Sequence, residues 1–346
     1  MAKTDRLKII QELQSKRNSL VITYITSTRP GAEVAMAMDS IRKIYDHIIA
    51  HKKSGKEMNI DLVLYSNGGD GTVPWRLVTL LREYSKKLSV LIPFRAFSAA
   101  TLTALGADEI FMHPMGMLGP TDPTVSNDFN PPVNPAEPQG KKKGISVEDV
   151  TAYINLIKED ASITHEDELV QAFNKLPENI HPLALGNVKR SLAQSRMMAT
   201  KLLSLHMLTS ADEHPIQEIV DSLTSKLYYH GHPINRIEAE RAVGIRTIAK
   251  PDTIVEDLIW NLYLQYEEEM KLESPFSPIF EFMQSFPQLA TGQKQKKPKA
   301  SAKLVYIESV HKTDLNVLEY EIIGAMDPNG IVNTQLLTLF QGWTIE

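Results

Sequence analysis

The chain has 346 residues, 42% of them hydrophobic, with a formal net charge of −5 and no cysteine. That is enough apolar material for one large domain or two. The charge excludes a broad basic surface, so nucleic acid is not an expected partner. The missing thiols exclude disulfides, cysteine metal sites and thiol catalysis.

The opening stretch MAKTDRLKIIQELQSKRNSL is charged and has no apolar h-region, so it reads as an amphipathic helix over residues 1–19 and not as a signal peptide. No stretch reaches the roughly 18 apolar residues of a membrane span, and a cytoplasmic protein is expected. LVITYITS (20–27) is β-branched and short, a buried strand. AEVAMAMDSIRKIYDHIIAHKK (32–53) has Val34, Met38, Ile41, Ile44 and Ile48 at helical spacing. IDLVLYS (60–66) is a second strand and runs into NGGDG. TVPWRLVTLLREYSKKL (72–88) reads as a helix, SVLIP (89–93) as a third strand, residues 98–105 as a helix and EIFMH (109–113) as a fourth strand. Alternation at this spacing predicts a parallel sheet covered by helices. In such sheets, sites lie at the carboxyl ends of the strands.

Residues 121–144 turn irregular, rich in Pro and Asn, and end in three lysines. Helical patterns then run from 146 to 272. Residues 273–302, with the lysine-rich GQKQKKPKASA, read as a linker, and 303–346 as a small β-rich module with a turn at Pro328-Asn329-Gly330. The main domain is therefore expected over 20–272.

Two strand ends carry chemistry. Gly68-Gly69 follow a strand, where glycine lets the backbone turn sharply and leaves N–H groups accessible to a developing oxyanion. Ser98 opens a run of small residues, SAATLTAL. Taken alone it reads as a helix N-cap. Gly69 and Ser98, however, are separated by one helix and one strand, and adjacent βαβ units would bring the two turns side by side. In that arrangement Ser98 is a nucleophile at a positive helix end, and the N–H groups of Gly69 and Ala99 are oxyanion donors.

LVLYSNGGD…VPWRLVTLLREY, AFSAATLTALGADEIFM and MGMLGPTDP resemble the serine dehydrogenase proteinase family. This is a branch of the Clp-protease/crotonase superfamily, which also holds the Clp proteolytic subunit and signal peptide peptidase A. The stretches 179–207 and 223–245 resemble the helical region of the same family. The resemblance implies a Clp/crotonase-type α/β fold of stacked βαβ units, with a helical C-terminal region and the β-rich appendage. It also implies peptide-bond hydrolysis by Ser98, an oxyanion hole from the backbone of Gly68, Gly69 and Ala99, no metal or cofactor, and a homo-oligomer acting on protein or peptide substrates.

The general base stays open between two residue types. His113 follows the strand EIFM and precedes a proline, a place similar to that of the catalytic histidine in the Clp proteolytic subunit. Asp122 is then the candidate to orient it. Lysines in GKKKGISVEDV match the segment that supplies the base of Ser–Lys dyads in signal peptide peptidases. Lys143 is favoured marginally over Lys142, with His113 close behind. The pair His230 and His232 lacks a third ligand and is not read as a metal site. Two other readings keep the fold and change the function: an inactive oligomeric scaffold, and a crotonase-like acyl-CoA enzyme that would not depend on Ser98.

Overall fold

The computed structural model describes residues 3–52, 58–134, 140–227 and 231–346. The chain divides into two compact units, Met1–Met117 with Thr247–Glu346, and Leu118–Arg246.

The first unit begins with α1 (Lys3–Arg17), β1 (Ser19–Thr26), α2 (Asp39–Lys52), β2 (Met58–Tyr65) and α3 (Val73–Tyr84). β3 (Ser85–Ile92), the two-residue β4 (Arg95–Ala96), α4 (Ala99–Leu105) and β5 (Glu109–Met112) follow. β1, β2, β3 and β5 lie side by side in parallel, and Ile248–Ala249 adds a further parallel strand beside β5. Every residue of β1 is buried, which is why its apolar run shows no alternation. Val21, Ile25, Val63, Leu91 and Phe111 join Ile10 and Leu13 of α1 in one core. Ile259, Tyr263 and Tyr266 of the helix Thr253–Met270 complete it. The intervening strand residues Leu20, Ile22, Leu62, Val90 and Ile110 are equally buried on the opposite face. The stacked βαβ units expected from the sequence are thus present.

Three boundaries differ from the sequence reading. Residues 1–19 are not a separate element: α1 buries Arg6, Ile10 and Leu13 in the main core. The span 20–272 is not one continuous unit, because residues 118–246 form a unit of their own. The span 273–302 is not a linker. It holds the helix Pro278–Ser285 and the first half of the strand Lys294–Ser309. That strand pairs antiparallel with β1, placing Thr23 opposite Glu308 and Thr26 opposite Val305. Lys312–Met326 and Val332–Ile345 continue outward, so the supposed module belongs to the three antiparallel strands of an eight-stranded sheet. The lysine run misleads because its charge is matched across strands: Lys296 pairs with Glu321 and Lys299 with Glu319.

The junction is fixed by a buried charge. Arg6 Nε lies 2.9 Å from Glu308 Oε2, and both side chains are almost fully buried. Tyr266 and Thr313 hydroxyls donate to the same carboxylate at 2.6 and 2.7 Å, and the guanidinium packs on the Tyr306 ring. Such a pair is held by complete hydrogen bonding, not by Coulomb attraction alone.

The second unit is mainly helical: Val147–Asn155, Glu166–Asn179, Pro182–Leu203 and Glu213–Asp221. Thr124–Val125 and Ile145–Ser146 pair antiparallel within it. Ile145, Ala184 and Val188 form a small core. Among the described residues, no helix is long and apolar enough to cross a membrane, and no cluster of three metal-ligating side chains occurs. His232 is paired with Glu238 at 2.7 Å, while His230 lies outside the described residues.

Candidate active site

Parallel pairing brings the carboxyl ends of β1 and β2 together, and the site grows from that edge. Ser66, the residue after β2, is fully buried and bridges to Ala96 of β4 in parallel register. Its N–H donates to Arg95 O at 2.9 Å, and Phe97 N–H donates to Ser66 O at 3.0 Å. These two bonds lock the glycine turn against the serine turn.

Ser98 has φ +53° and ψ −115°, a conformation that L-residues rarely adopt, and its hydroxyl makes no capping hydrogen bond. The N-cap reading is therefore set aside: the hydroxyl does not satisfy the N–H groups of the helix it precedes. Strain of this kind costs on the order of 1–3 kcal/mol and persists only when its surroundings over-determine it. Here Ala100 N–H donates to Phe97 O at 2.9 Å and Thr101 Oγ1 to Ala96 O at 2.8 Å, pinning both sides of the elbow. A strained strand-to-helix turn that exposes a hydroxyl is the geometry of a nucleophile elbow.

The two glycines have different tasks. Gly68 has φ +95°, and a Cβ there would lie 2.8 Å from Ser98 Cβ and 2.9 Å from Ala99 N. Only glycine lets the loop come this close to the serine. Its N–H is already committed, donating to Ser66 Oγ at 3.0 Å, so the oxyanion donor the sequence assigns to Gly68 is corrected to a role in close approach. At Gly69 a Cβ would meet Met36 N at 2.4 Å. Met36 N–H donates to Gly68 O at 2.8 Å and Asp70 N–H to Met36 O at 3.0 Å, so residue 36 is strapped across the glycine turn. Among the described residues, the N–H groups of Gly69 and Ala99 have no recorded acceptor.

Two of these contributors were not legible in the sequence. Met36 falls inside a stretch with helical spacing, yet the helix begins only at Asp39. Ser66 carries no signal beyond ending a strand. Its Oγ accepts from both the Thr26 hydroxyl, at 2.8 Å, and Gly68 N–H.

The base candidates are placed as follows. His113 Nδ1 accepts the N–H of Met115 at 3.0 Å, and its ring stacks on Trp260 at 4.8 Å with planes 7° apart. A neutral ring with Nδ1 accepting carries its proton on Nε2. Lys142 bridges to Pro132 within the second unit. Lys143 is exposed; its N–H donates to Pro131 O at 2.8 Å and its carbonyl accepts from Asn130 Nδ2 at 2.7 Å. Asn130 is buried and its Oδ1 also accepts Asn127 N–H, so one side chain organises much of the loop read as irregular. Asp122 is buried in the same unit.

Two uncharacterized proteins of Methanocaldococcus jannaschii are similar over 123 residues, at 33% and 30% identity. Each match covers 35% of this chain, with 43% of the first protein and 42% of the second, so the chain spans less than half the length of these curated relatives. Among solved structures, a mutant of the 1510-N membrane-bound stomatin-specific protease is similar with TM-score 0.38 and 12% identity, covering 65% of this chain and 79% of that one. Residues 1–179, which contain Ser98, the glycine turn and both base candidates, match the family described as ClpP-like SDH-type serine proteinase. The chain belongs to the ClpP-like SDH-type serine proteinase family.

Proposed function

We propose that this protein hydrolyses peptide bonds through an acyl-enzyme on Ser98, with Lys143 as general base. The strained, uncapped conformation of Ser98, beside the glycine turn, carries the proposal. Ser98 Oγ attacks the scissile carbonyl carbon while its proton passes to Lys143 Nζ. The N–H groups of Gly69 and Ala99 receive the oxyanion. Collapse breaks the C–N bond as Lys143 returns the proton to the departing amine. Water, deprotonated by the same lysine, then releases the acyl group and restores the serine.

Lys143 is favoured over His113 on a point of hydrogen bonding. A base must present an unoccupied lone pair to the serine, and the Nδ1 lone pair of His113 is taken by Met115 N–H. No metal or cofactor enters the scheme.

Fluorophosphonate labelling with mass mapping tests the reading on wild type, Ser98→Ala, Lys143→Ala and His113→Ala. An adduct on Ser98 in wild type is expected, lost in Ser98→Ala and slowed at least about a hundredfold in Lys143→Ala, with His113→Ala nearer wild type. Loss in His113→Ala alone would transfer the base to the histidine. Absence of any adduct on the folded wild type would favour the inactive scaffold.

A further inference from the structure

Beside the serine lies a cation that the proposed reaction does not use. Among the described residues, Arg95 makes no ion pair: its polar side-chain contact is Nη1 donating to Asn67 Oδ1 at 3.4 Å, the long limit of a hydrogen bond. Its Nε is buried without an acceptor. The guanidinium packs against the rings of Phe94 and Phe97, 5.4 and 5.6 Å from their centroids, which fixes its plane. Nε is sealed from solvent, so the end of the guanidinium that can take a further acceptor is the Nη pair, which holds one long hydrogen bond and, among the described residues, no carboxylate.

Its position follows from the pleat. Ser66 and Ala96 are in register and face the interior. Their neighbours Asn67, Arg95 and Phe97 must therefore face the other way, and they are the exposed or half-buried residues of this stretch. Asn67 leads into Gly68, the residue that abuts Ser98 Cβ. Arg95 and Asn67 thus flank the nucleophile on the solvent side of the bridge. The planar fork of arginine matches a carboxylate, which can accept from Nη1 and Nη2 together.

We propose that Arg95 selects an acidic residue of the peptide substrate close to the bond that Ser98 cleaves. This rests on the peptidase reading and adds a substrate class to it. The carboxylate takes the bidentate position on Nη1 and Nη2 at the open end of the fork, and Asn67 holds that end toward the glycine turn.

The test uses the full chain and peptide aldehydes, which bind a reactive serine reversibly. Glu or Gln is placed at each of the three residues preceding the aldehyde, and each peptide competes with fluorophosphonate labelling of Ser98. In wild type, Glu at one position is expected to protect at least about tenfold better than Gln, the usual worth of a charge-assisted pair. In Arg95→Gln that ratio falls to near one. In Arg95→Lys, which keeps the charge and loses the fork, it lies between. Near-UV circular dichroism checks that both variants are folded. Equal protection by Glu and Gln at all three positions in a wild type that labels would overturn this proposal alone, as would a Glu preference that survives in Arg95→Gln. A wild type that takes no label overturns the peptidase reading and this proposal with it.

Discussion

Ser66 shows how little of a site has to touch substrate. Its Oγ accepts from Gly68 N–H and from the Thr26 hydroxyl, and its backbone bonds hold Arg95 and Phe97. Ser66→Ala leaves two buried donors without an acceptor, a cost of about 1–3 kcal/mol. It also frees Gly68 to turn its amide, so the direction of the next N–H, that of Gly69, is no longer held. Fluorophosphonate labelling of Ser98 is expected to slow by about tenfold or more, because a single misdirected oxyanion donor costs on that order or above. Melting temperature and labelling rate measured together separate two roles. A lower melting temperature with unchanged labelling would make Ser66 a packing residue only.

At the scale of elements, the antiparallel half of the sheet is needed by the parallel half. The strand Lys294–Ser309 covers the edge of β1 and brings Glu308 to Arg6 of α1. Removing residues 290–346 would expose the edge of β1 and strip Arg6 of both its carboxylates and of the Tyr306 ring that covers it. If those residues were an appendage, the remaining chain would melt cooperatively. The expectation is instead that it shows no cooperative thermal transition by circular dichroism. The same logic explains why α1 carries an arginine at a fully buried position: the residue serves the far end of the sequence, not its own helix.

Across the whole molecule, a second long-range tie makes stability depend on pH. His47 of α2 is fully buried, with Nδ1 2.7 Å from Ser309 Oγ and Nε2 3.3 Å from Asp314 Oδ2. Lys43 and Lys312 face the same carboxylate at 3.4 and 2.9 Å. Burial lowers the imidazole from 6.5 to about 4, opposed by Asp314 and reinforced by Lys312. Between those values the unfolded chain binds a proton that the folded chain does not. The stability contributed by neutral His47 is therefore complete above about pH 6.5 and is lost as the pH falls toward 4, by about 3 kcal/mol in all. Urea unfolding midpoints from pH 7 to 4.5 should fall more steeply for wild type than for His47→Gln. Parallel curves would remove His47 as the titrating group.

Much of this architecture follows from local chemistry. The β-branched runs at 20–27 and 60–66, the small residues after Ser98 and the alternation of strand with helix need no neighbours to be read, because period and propensity are properties of adjacent residues. Ser98 and the glycine pair stand out in the sequence for the same reason. What the sequence could not supply was commitment. Gly68 loses its donor role to Ser66 Oγ, Ser98 is uncapped, Met36 leaves its helix to bridge Gly69, and Lys296 and Lys299 find glutamates across a sheet. Each of these depends on the folded backbone, and a donor or a charge is spent only once, on whichever partner that backbone brings within reach.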